Sequence, residues 1–404
     1  MDAWVLAIFA IVYLGMILGG LPRLHLDRTG VALLGAIAVV GLGVMTPEAA
    51  AQSIHLPTIL LLFSFMVVSA QLRLGGFYGW VTAAVSGLNL GPVALLGVVI
   101  LVVALLSAVF SNDIVCLAMA PMLADACARK RLNPVPFLLA LACAANIGSA
   151  LTLIGNPQNM LIGETLKLPF GAYLAEALVP VSLSLLALWA WLARGLSRPY
   201  TPVPAMASGD DFIALDRWQS AKGVVVAAAL LAVFLFTDWP RDVAALVGAG
   251  LLLLSQRFHS SKVMREIDWE LLVLFMGLFV VNHALELTGL SARGVAALAQ
   301  SGLDLSQPAP LFASTLLLSN LVSNVPAVML LLPLAKESWA GPMLALVSTL
   351  AGNLLLVGSI ANLIVVDAAR RRGIAIDWRM HARVGVPVAL LSLLFAAGWF
   401  GLRV

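Results

Sequence analysis

Residues 105–114 read Leu105-Leu106-Ser107-Ala108-Val109-Phe110-Ser111-Asn112-Asp113-Ile114, and residues 317–326 read Leu317-Leu318-Ser319-Asn320-Leu321-Val322-Ser323-Asn324-Val325-Pro326. Leu-Leu-Ser and Ser-Asn recur at one offset, 212 positions, and Pro121 falls on Pro333 in the same frame. Each polar cluster interrupts an otherwise apolar stretch, about 92–127 and about 308–338. The incoming helix ends near Val109 with its last carbonyls facing the break, and the outgoing one starts near Asn112 with its first N–H groups facing the same place. We read each pair as a re-entrant hairpin that enters and leaves on one side. The plainer reading is two full crossings joined by an exposed turn. Arms of about 15–18 residues reach roughly 22–27 Å, so length does not decide between the two; the recurrence of Ser-Asn does.

Outward from the hairpins the chain is apolar throughout. Of its 404 residues 62% are apolar and 11% charged, against about 45–50% and about 25% in soluble domains. This is an all-α polytopic membrane protein, with no room for an extramembrane catalytic domain. Spans are expected at about 3–21, 29–46, 57–74, 135–163 and 172–194, and again at 220–237, 240–255, 268–287, 341–369 and 384–402. The first is read as a retained helix, because no small-residue cleavage site precedes Arg23. The stretches Gly76 to Leu90 and Gly289 to Ser301 are either interfacial helices or plain loops. The three cysteines, Cys116, Cys127 and Cys143, match neither a zinc spacing nor a disulfide framework and read as small core residues.

The two sets are one unit used twice. Before the hairpins Leu72, Leu74 and Gly76 meet Leu285, Leu287 and Gly289; after them, at an offset of 203, Gly155, Asn156 and Asn159 meet Gly358, Ser359 and Asn362. Residues 1–194 form the first repeat and 220–404 the second. The linker is 195–219, rich in Pro199, Pro202, Pro204, Ser208, Gly209, Asp210 and Asp211. Five spans and a hairpin that does not change sides leave the second repeat inverted, the arrangement of secondary transporters with a midplane site. With the N-terminus outside, all of the 23 basic residues but Lys167, Arg241, Arg293, Lys336 and Arg403 fall in the cytoplasm, as the positive-inside rule requires. Both termini are then extracytoplasmic and the linker cytoplasmic, in the inner membrane.

The spans after the hairpins are broken. Asn146 to Asn159 includes Thr152, Gly155, Asn156 and Pro157, and Asn353, Gly358, Ser359 and Asn362 follow in the second half. Gly and Pro at mid-membrane free backbone groups that protein, water or ligand must satisfy. Helix ends at the hairpin breaks suit both a cation, at the carbonyls, and an anion, at the N–H groups. Ser111 or Asn112 is placed to cap the outgoing helix, and Pro326 suits the first turn of its counterpart. Asp113 is the sharpest single residue, since an ionisable group within a span usually marks an ion or proton path. Val325 stands at the equivalent position, so only the first hairpin carries the coupling group. Glu164 is read in a loop and Asp125 beside Arg129, Lys130 and Arg131. Glu270, Glu286 and Asp367, with His55 and His283, lie near span ends. No Lys or Arg falls in the middle of a span, so an anion is held by helix N-termini, amides and hydroxyls; a small neutral oxyacid fits equally well. No metal-protease pair, nucleophile-base constellation or phosphate loop is present, so neither an enzyme nor a self-contained ATP-driven pump is expected; a separate ATPase subunit stays open as a partner. No cofactor is expected beyond a coupling ion, H⁺ before Na⁺.

These motifs resemble the ion transporter superfamily of arsenite permeases, sodium/proton antiporters, citrate-type carriers, silicate efflux proteins and dicarboxylate/sodium symporters. Asn112, Asp113 and Pro121 are similar to the Asn-Asp hairpin of the arsenite permease branch. Ser111, Asn112 and Ser323, Asn324 resemble the Ser-Asn-Thr tips of the dicarboxylate branch, although Asp113 and Val325 replace the Thr. Gly155-Asn156-Pro157-Gln158-Asn159 looks most like bacterial inner-membrane anion permeases. The resemblance implies an elevator mechanism with a scaffold that often dimerises. It implies one half-site of Ser111, Asn112, Asp113, Gly155 and Asn156, with any Na⁺ near Ser111, Asn112 and Gly155, and another of Ser323, Asn324, Gly358 and Ser359. The function expected is ion-coupled secondary transport of a small inorganic anion or oxyacid such as arsenite. The alternatives are a sodium/proton antiporter and a sodium-coupled dicarboxylate or citrate-type symporter.

Overall fold

The computed structural model describes residues 2–21, 24–196 and 213–403. Pro22, Arg23 and residues 197–212, with the linker positions Pro199, Pro202, Pro204, Ser208, Gly209, Asp210 and Asp211, lie outside the described residues. Among the described residues there is one isolated bridge, Gly20 with Asp27, and all other regular structure is helical.

Ten α-helices precede the linker: α1 Asp2–Leu18, α2 Arg28–Gly41, α3 Pro47–Ser53, α4 Leu56–Leu74, α5 Phe77–Gly87, α6 Pro92–Val109, α7 Asn112–Arg129, α8 Pro134–Ser149, α9 Pro157–Thr165 and α10 Phe170–Ala193. Ten follow it in a corresponding order: α11 Arg217–Phe236, α12 Arg241–Leu253, α13 Ser260–Arg265, α14 Trp269–Leu287, α15 Leu290–Gln300, α16 Pro308–Val322, α17 Asn324–Leu331, α18 Ala340–Ala351, α19 Ile360–Arg371 and α20 Trp378–Gly401. Helix α11 begins at Arg217, three residues before the expected start, because Asp216 caps it by accepting from the N–H groups of Trp218 and Gln219. Helix α17 is shorter than α7 and passes into a 3₁₀ turn, Leu332–Leu334, at Pro333, whereas Pro121 lies inside the continuous α7.

Among the described residues six helices, α4, α6, α10, α11, α14 and α20, are each long and apolar enough to cross a membrane; of the other expected spans, 135–163 and 341–369 are divided into α8 with α9 and α18 with α19. Helices such as α2, 14 residues long, reach only about 21 Å, short of the roughly 30 Å hydrocarbon core. The expected span at 29–46 is thus α2 ended by a turn at Gly43 (φ 70°), with the separate α3 after it, capped by Thr46. Leu186 on α10 and Leu394 on α20 are among many large apolar side chains left on the outside, which lipid covers. The chain is an integral membrane protein.

Packing crosses between the two sets. Helix α4 packs on α12 and α14 on α2; α10 and α20 lie together; α7 packs on α19 and α9 on α17. The close approach of α14 to α2 needs Gly277, where a Cβ would stand 2.8 Å from the Ala32 carbonyl. Helix α18 is buried along its whole length and α8 almost so, as befits helices apolar all round at the centre of a bundle. Both stretches left open between helix and loop are helices, α5 and α15. Each starts from a glycine in the left-handed conformation, Gly76 (φ 73°) and Gly289 (φ 69°).

Candidate functional site

The four breaks meet at the centre. Helix α6 ends at Val109 and α7 starts at Asn112. Ser111 occupies the cap position without a side-chain capping bond, and Asn112 turns away to donate from Nδ2 to Asn146 Oδ1 at 3.3 Å. Neither residue caps α7, contrary to the sequence expectation. Between α16 and α17 the whole break is Ser323, held at φ 79°, ψ 160°, a region that L-residues with a side chain rarely enter and that costs about 1–3 kcal/mol.

The breaks after the hairpins, residues 150–156 and 352–359, are tied by hydrogen bonds that repeat at the offset of 203. Asn159 Nδ2 donates to the Thr152 carbonyl (3.1 Å), and Asn362 Nδ2 to the Leu355 carbonyl (3.2 Å) and the Gly352 carbonyl (2.9 Å). Asn156 caps α9 and Ser359 caps α19. Across the halves, Asn156 Nδ2 donates to Thr349 Oγ1 at 3.0 Å, while Ser359 Oγ donates to Asn146 Oδ1 at 2.8 Å. Thr349 Oγ1 reaches Asn159 Oδ1 at 3.3 Å, and Asn146 Nδ2 reaches Asn362 Oδ1 at 3.1 Å. Asn146 and Thr349 are themselves 203 residues apart, so each half supplies the same partners to the other.

These residues enclose a cavity of about 50 Å³. Asn112, Asp113, Asn146 and Asn156 line it from the first half, and Ser323, Asn324, Gly358 and Ser359 from the second. Three buried oxygens at this centre have no hydrogen-bond partner among the described residues: Asn112 Oδ1, Asp113 Oδ1 and Asn324 Oδ1. The lining holds amides, hydroxyls and one carboxyl, with no Lys, Arg or His among its residues. Free acceptor oxygens and a single carboxyl can receive a hydroxylic ligand, a proton or a cation.

The other expected residues support the cavity from behind. Gly155 lies where a Cβ would stand 2.2 Å from the Ser149 carbonyl oxygen and 2.8 Å from that of Ser107, so only glycine lets those carbonyls converge. Any sodium ion near Ser111, Asn112 and Gly155 would use these carbonyls, and the unpartnered Asn112 Oδ1 fits that chemistry. Thr152 Oγ1 donates to the Ala108 carbonyl and ties the break to the hairpin. Asn353 accepts from Asn146, and its own carbonyl lies 3.1 Å from Nε2 of buried His381. Ser111, Thr152, Gly155, Asn159, Asn353 and Asn362 do not line the cavity.

Ser149, Gln158 and Thr349 do line it and were not singled out from the sequence. Carrying the 203 offset back from Gly155 to Asn146 would have found Thr349. Two carboxylates also depart from expectation. Glu164 is not in a loop but buried in α9, ion-paired with Arg241 at 2.8 Å and with Lys167 at 3.4 Å. Asp125 pairs with Arg372 at 3.0 Å rather than with the nearby basic cluster. The three cysteines are free and buried, as core residues should be.

Residues 4–351 match the sequence profile of a family described as citrate transporter. Among curated proteins, an uncharacterized transporter of Mycobacterium tuberculosis is 30% identical over 94% of each chain. A silicon efflux transporter of Oryza sativa subsp. japonica is 30% identical over 96% of this chain and 93% of its own. A putative transporter, arsB, of Dictyostelium discoideum is 22% identical over 92% and 87%. The crystal structure of the Alcanivorax borkumensis YdaH transporter has a similar fold, with a TM-score of 0.55 at 15% identity, covering 99% of this chain and 97% of that one.

Proposed function

The chain belongs to the citrate transporter family, and from that premise we propose that it is a secondary active transporter of a small inorganic anion or oxyacid, coupled to protons through Asp113. The cavity carries this reading. At about 50 Å³ it is far below the roughly 300–1,000 Å³ of sites for larger organic ligands, and it lacks the basic residue that would favour a multiply charged carboxylate. The silicon efflux transporter and arsB among the relatives point the same way. The absence of Thr after both Ser-Asn pairs argues against sodium-coupled dicarboxylate transport.

We read the two sets of ten helices as inverted repeats, and the hairpins with their broken helices as the body that carries ligand past a frame built on α2, α4, α12 and α14. The matching helix order and the hydrogen bonds that recur at one offset support this. Ion pairs support the assignment of sides, with both termini extracytoplasmic. Arg73 pairs with Glu266, Arg257 with Asp216 and Arg372 with Asp125 on the basic side. Arg241 pairs with Glu164 and Arg403 with Glu176 on the other. A sodium/proton antiporter is the second reading, favoured by the unpartnered Asp113 Oδ1, which would then alternate between Na⁺ and H⁺.

The test is proton movement in proteoliposomes on addition of arsenite, silicate, phosphate, sulfate or a dicarboxylate, comparing the natural chain with Asp113→Asn. One anion should drive a proton flux that the variant loses. Sodium-driven proton movement with no anion establishes the antiporter instead, and labelled anion accumulating on a sodium gradient alone removes Asp113 as the proton carrier.

A further inference from the structure

We propose that a groove between the start of α8, the end of α10 and the start of α20 holds the headgroup of an anionic phospholipid, with Arg194 and Arg383 on its phosphate. The groove measures about 390 Å³. Val135 and Leu139 of α8, Leu192 of α10 and Val384 of α20 give it apolar walls, and its lining includes two arginines and no carboxylate.

Helical spacing joins the groove to the lipid-covered surface. Arg194, still in helical backbone conformation at the end of α10, follows Leu186 and Ala190 at four-residue steps on one face. Arg383 precedes Leu390 by seven residues, two turns along one face of α20. Leu186 is 60% exposed and Leu390 55%, on helices long and apolar enough to cross a membrane. Each arginine thus ends a face that acyl chains cover, about 10–12 Å along the helix from the exposed leucine. A phospholipid has the same order, apolar chains first and a phosphate at the end.

Trp191 sets the two arginines together. Its Nε1 donates to the Arg383 carbonyl at 3.0 Å, and the Arg194 guanidinium lies 5.8 Å from the centre of its ring. An indole with a satisfied N–H and an apolar body suits the boundary between headgroup and chain.

The charge here is uncompensated. Arg73, Arg371 and Arg372 each pair with their own carboxylate, whereas among the described residues neither Arg194 nor Arg383 forms an ion pair. Asp377, on the turn before α20, is engaged as the cap of that helix, accepting from the Met380 N–H at 2.7 Å. Basic pockets between membrane helices hold anionic headgroups in this way. The walls decide between a lipid and a free anion. Apolar side chains offer a hydrated ion only loss of water, but they bury the glycerol and first methylenes of a lipid. The site is separate from the amide-lined cavity, although α8 runs from it to Asn146.

The test uses the full chain in non-ionic detergent, titrated with dioleoyl phosphatidylglycerol or dioleoyl phosphatidylcholine and read by native mass spectrometry. The first phosphatidylglycerol should bind more tightly than phosphatidylcholine. The Arg194→Gln, Arg383→Gln double variant should weaken it about thirtyfold, the weight of two basic residues beside anionic lipid. Lys262→Gln with Arg265→Gln removes the same charge from exposed positions on α13 and should leave binding unchanged. Val135→Trp narrows the groove while keeping both arginines, and it should weaken binding too. Equal affinity for the two lipids, or an equal loss in the two charge variants, overturns the proposal. Unchanged binding in Val135→Trp overturns it as well, leaving only a charged surface. Glycerol 3-phosphate in excess separates the two sources of phosphate: no displacement supports the lipid, and full displacement gives the groove to a soluble anion and overturns it. None of these outcomes depends on which ligand is transported, so the proposed function and the lipid site can fail independently.

Discussion

Asn146 Nδ2 donates to Asn353 Oδ1 at 2.8 Å, joining the centres of the two halves through a pair of residues that are both almost fully buried. The same Asn146 also serves Asn362, Ser359 and Asn112. Asn146→Ala leaves those groups without it, and each unsatisfied buried polar group costs about 1–3 kcal/mol. The variant should melt several degrees lower in detergent and lose substrate flux; an unchanged melting temperature would remove Asn146 as the hub.

The two glycines at the breaks should differ. A Cβ at Gly155 meets backbone oxygen at 2.2 Å, whereas at Gly358 the nearest atoms are Asn320 Oδ1 and the Gly352 carbonyl oxygen, both at 3.3 Å. Gly155→Ala should abolish folding or flux, and Gly358→Ala should keep a folded protein with reduced flux. Monodisperse elution and flux of the two variants, compared side by side, check the order, and the reverse order contradicts the geometry.

Thr349 is predicted to be needed for its hydroxyl, which accepts from Asn156 and Gln158 and donates to Asn159. Thr349→Ser should keep transport within a few-fold of the natural chain, and the near-isosteric Thr349→Val should lose most of it. Equal activity of the two variants would show that only the volume matters.

Ser323 holds a backbone conformation suited to glycine while its side chain lines the cavity. Ser323→Gly should raise the melting temperature, releasing up to about 1–3 kcal/mol of strain, and lower transport, the trade expected where strain serves a site. A variant that is both less stable and fully active refutes the strain.

Arg241 donates to the carbonyls of Gly163 and Leu168 as well as pairing with buried Glu164. Arg241→Gln leaves that buried carboxylate with only the exposed and more distant Lys167, at a cost of up to about 3–5 kcal/mol. Adding Glu164→Gln should recover part of the loss. A double-mutant cycle on thermal stability reads the coupling, and strict additivity would mean the pair does not interact.

How far the sequence was legible follows from the range of each interaction. The positions of the helix breaks could be read because Ser-Asn, Gly and Pro act on their own backbone, and the structure places the breaks at 110–111, Ser323, 150–156 and 352–359. The capping expectation at Ser111 and Asn112 failed because Asn112 had a longer-range partner, Asn146, that local reasoning does not supply. Thr349, Gln158 and the burial of Glu164 were missed for the same reason, since their partners come from the other half or from α12. Helices α3 and α13, at seven and six residues, are too short to give a periodic pattern. Where one helix ends and the next begins was less legible, since the apolar run at 29–46 gives the short α2 and a turn before α3.

The crossed packing of α4 with α12 and α2 with α14 bears on how the protein is made. When the ribosome has delivered only the first ten helices, α2 lacks α14 and α4 lacks α12, the helices against which each packs most extensively, and the cavity lacks Ser323, Asn324, Thr349 and Ser359. The nascent half must wait in the bilayer, its amides hydrated or held by the insertion machinery, until the second half arrives and both are completed together. Expressed as separate polypeptides, the halves should be degraded singly and accumulate only when produced in the same cell.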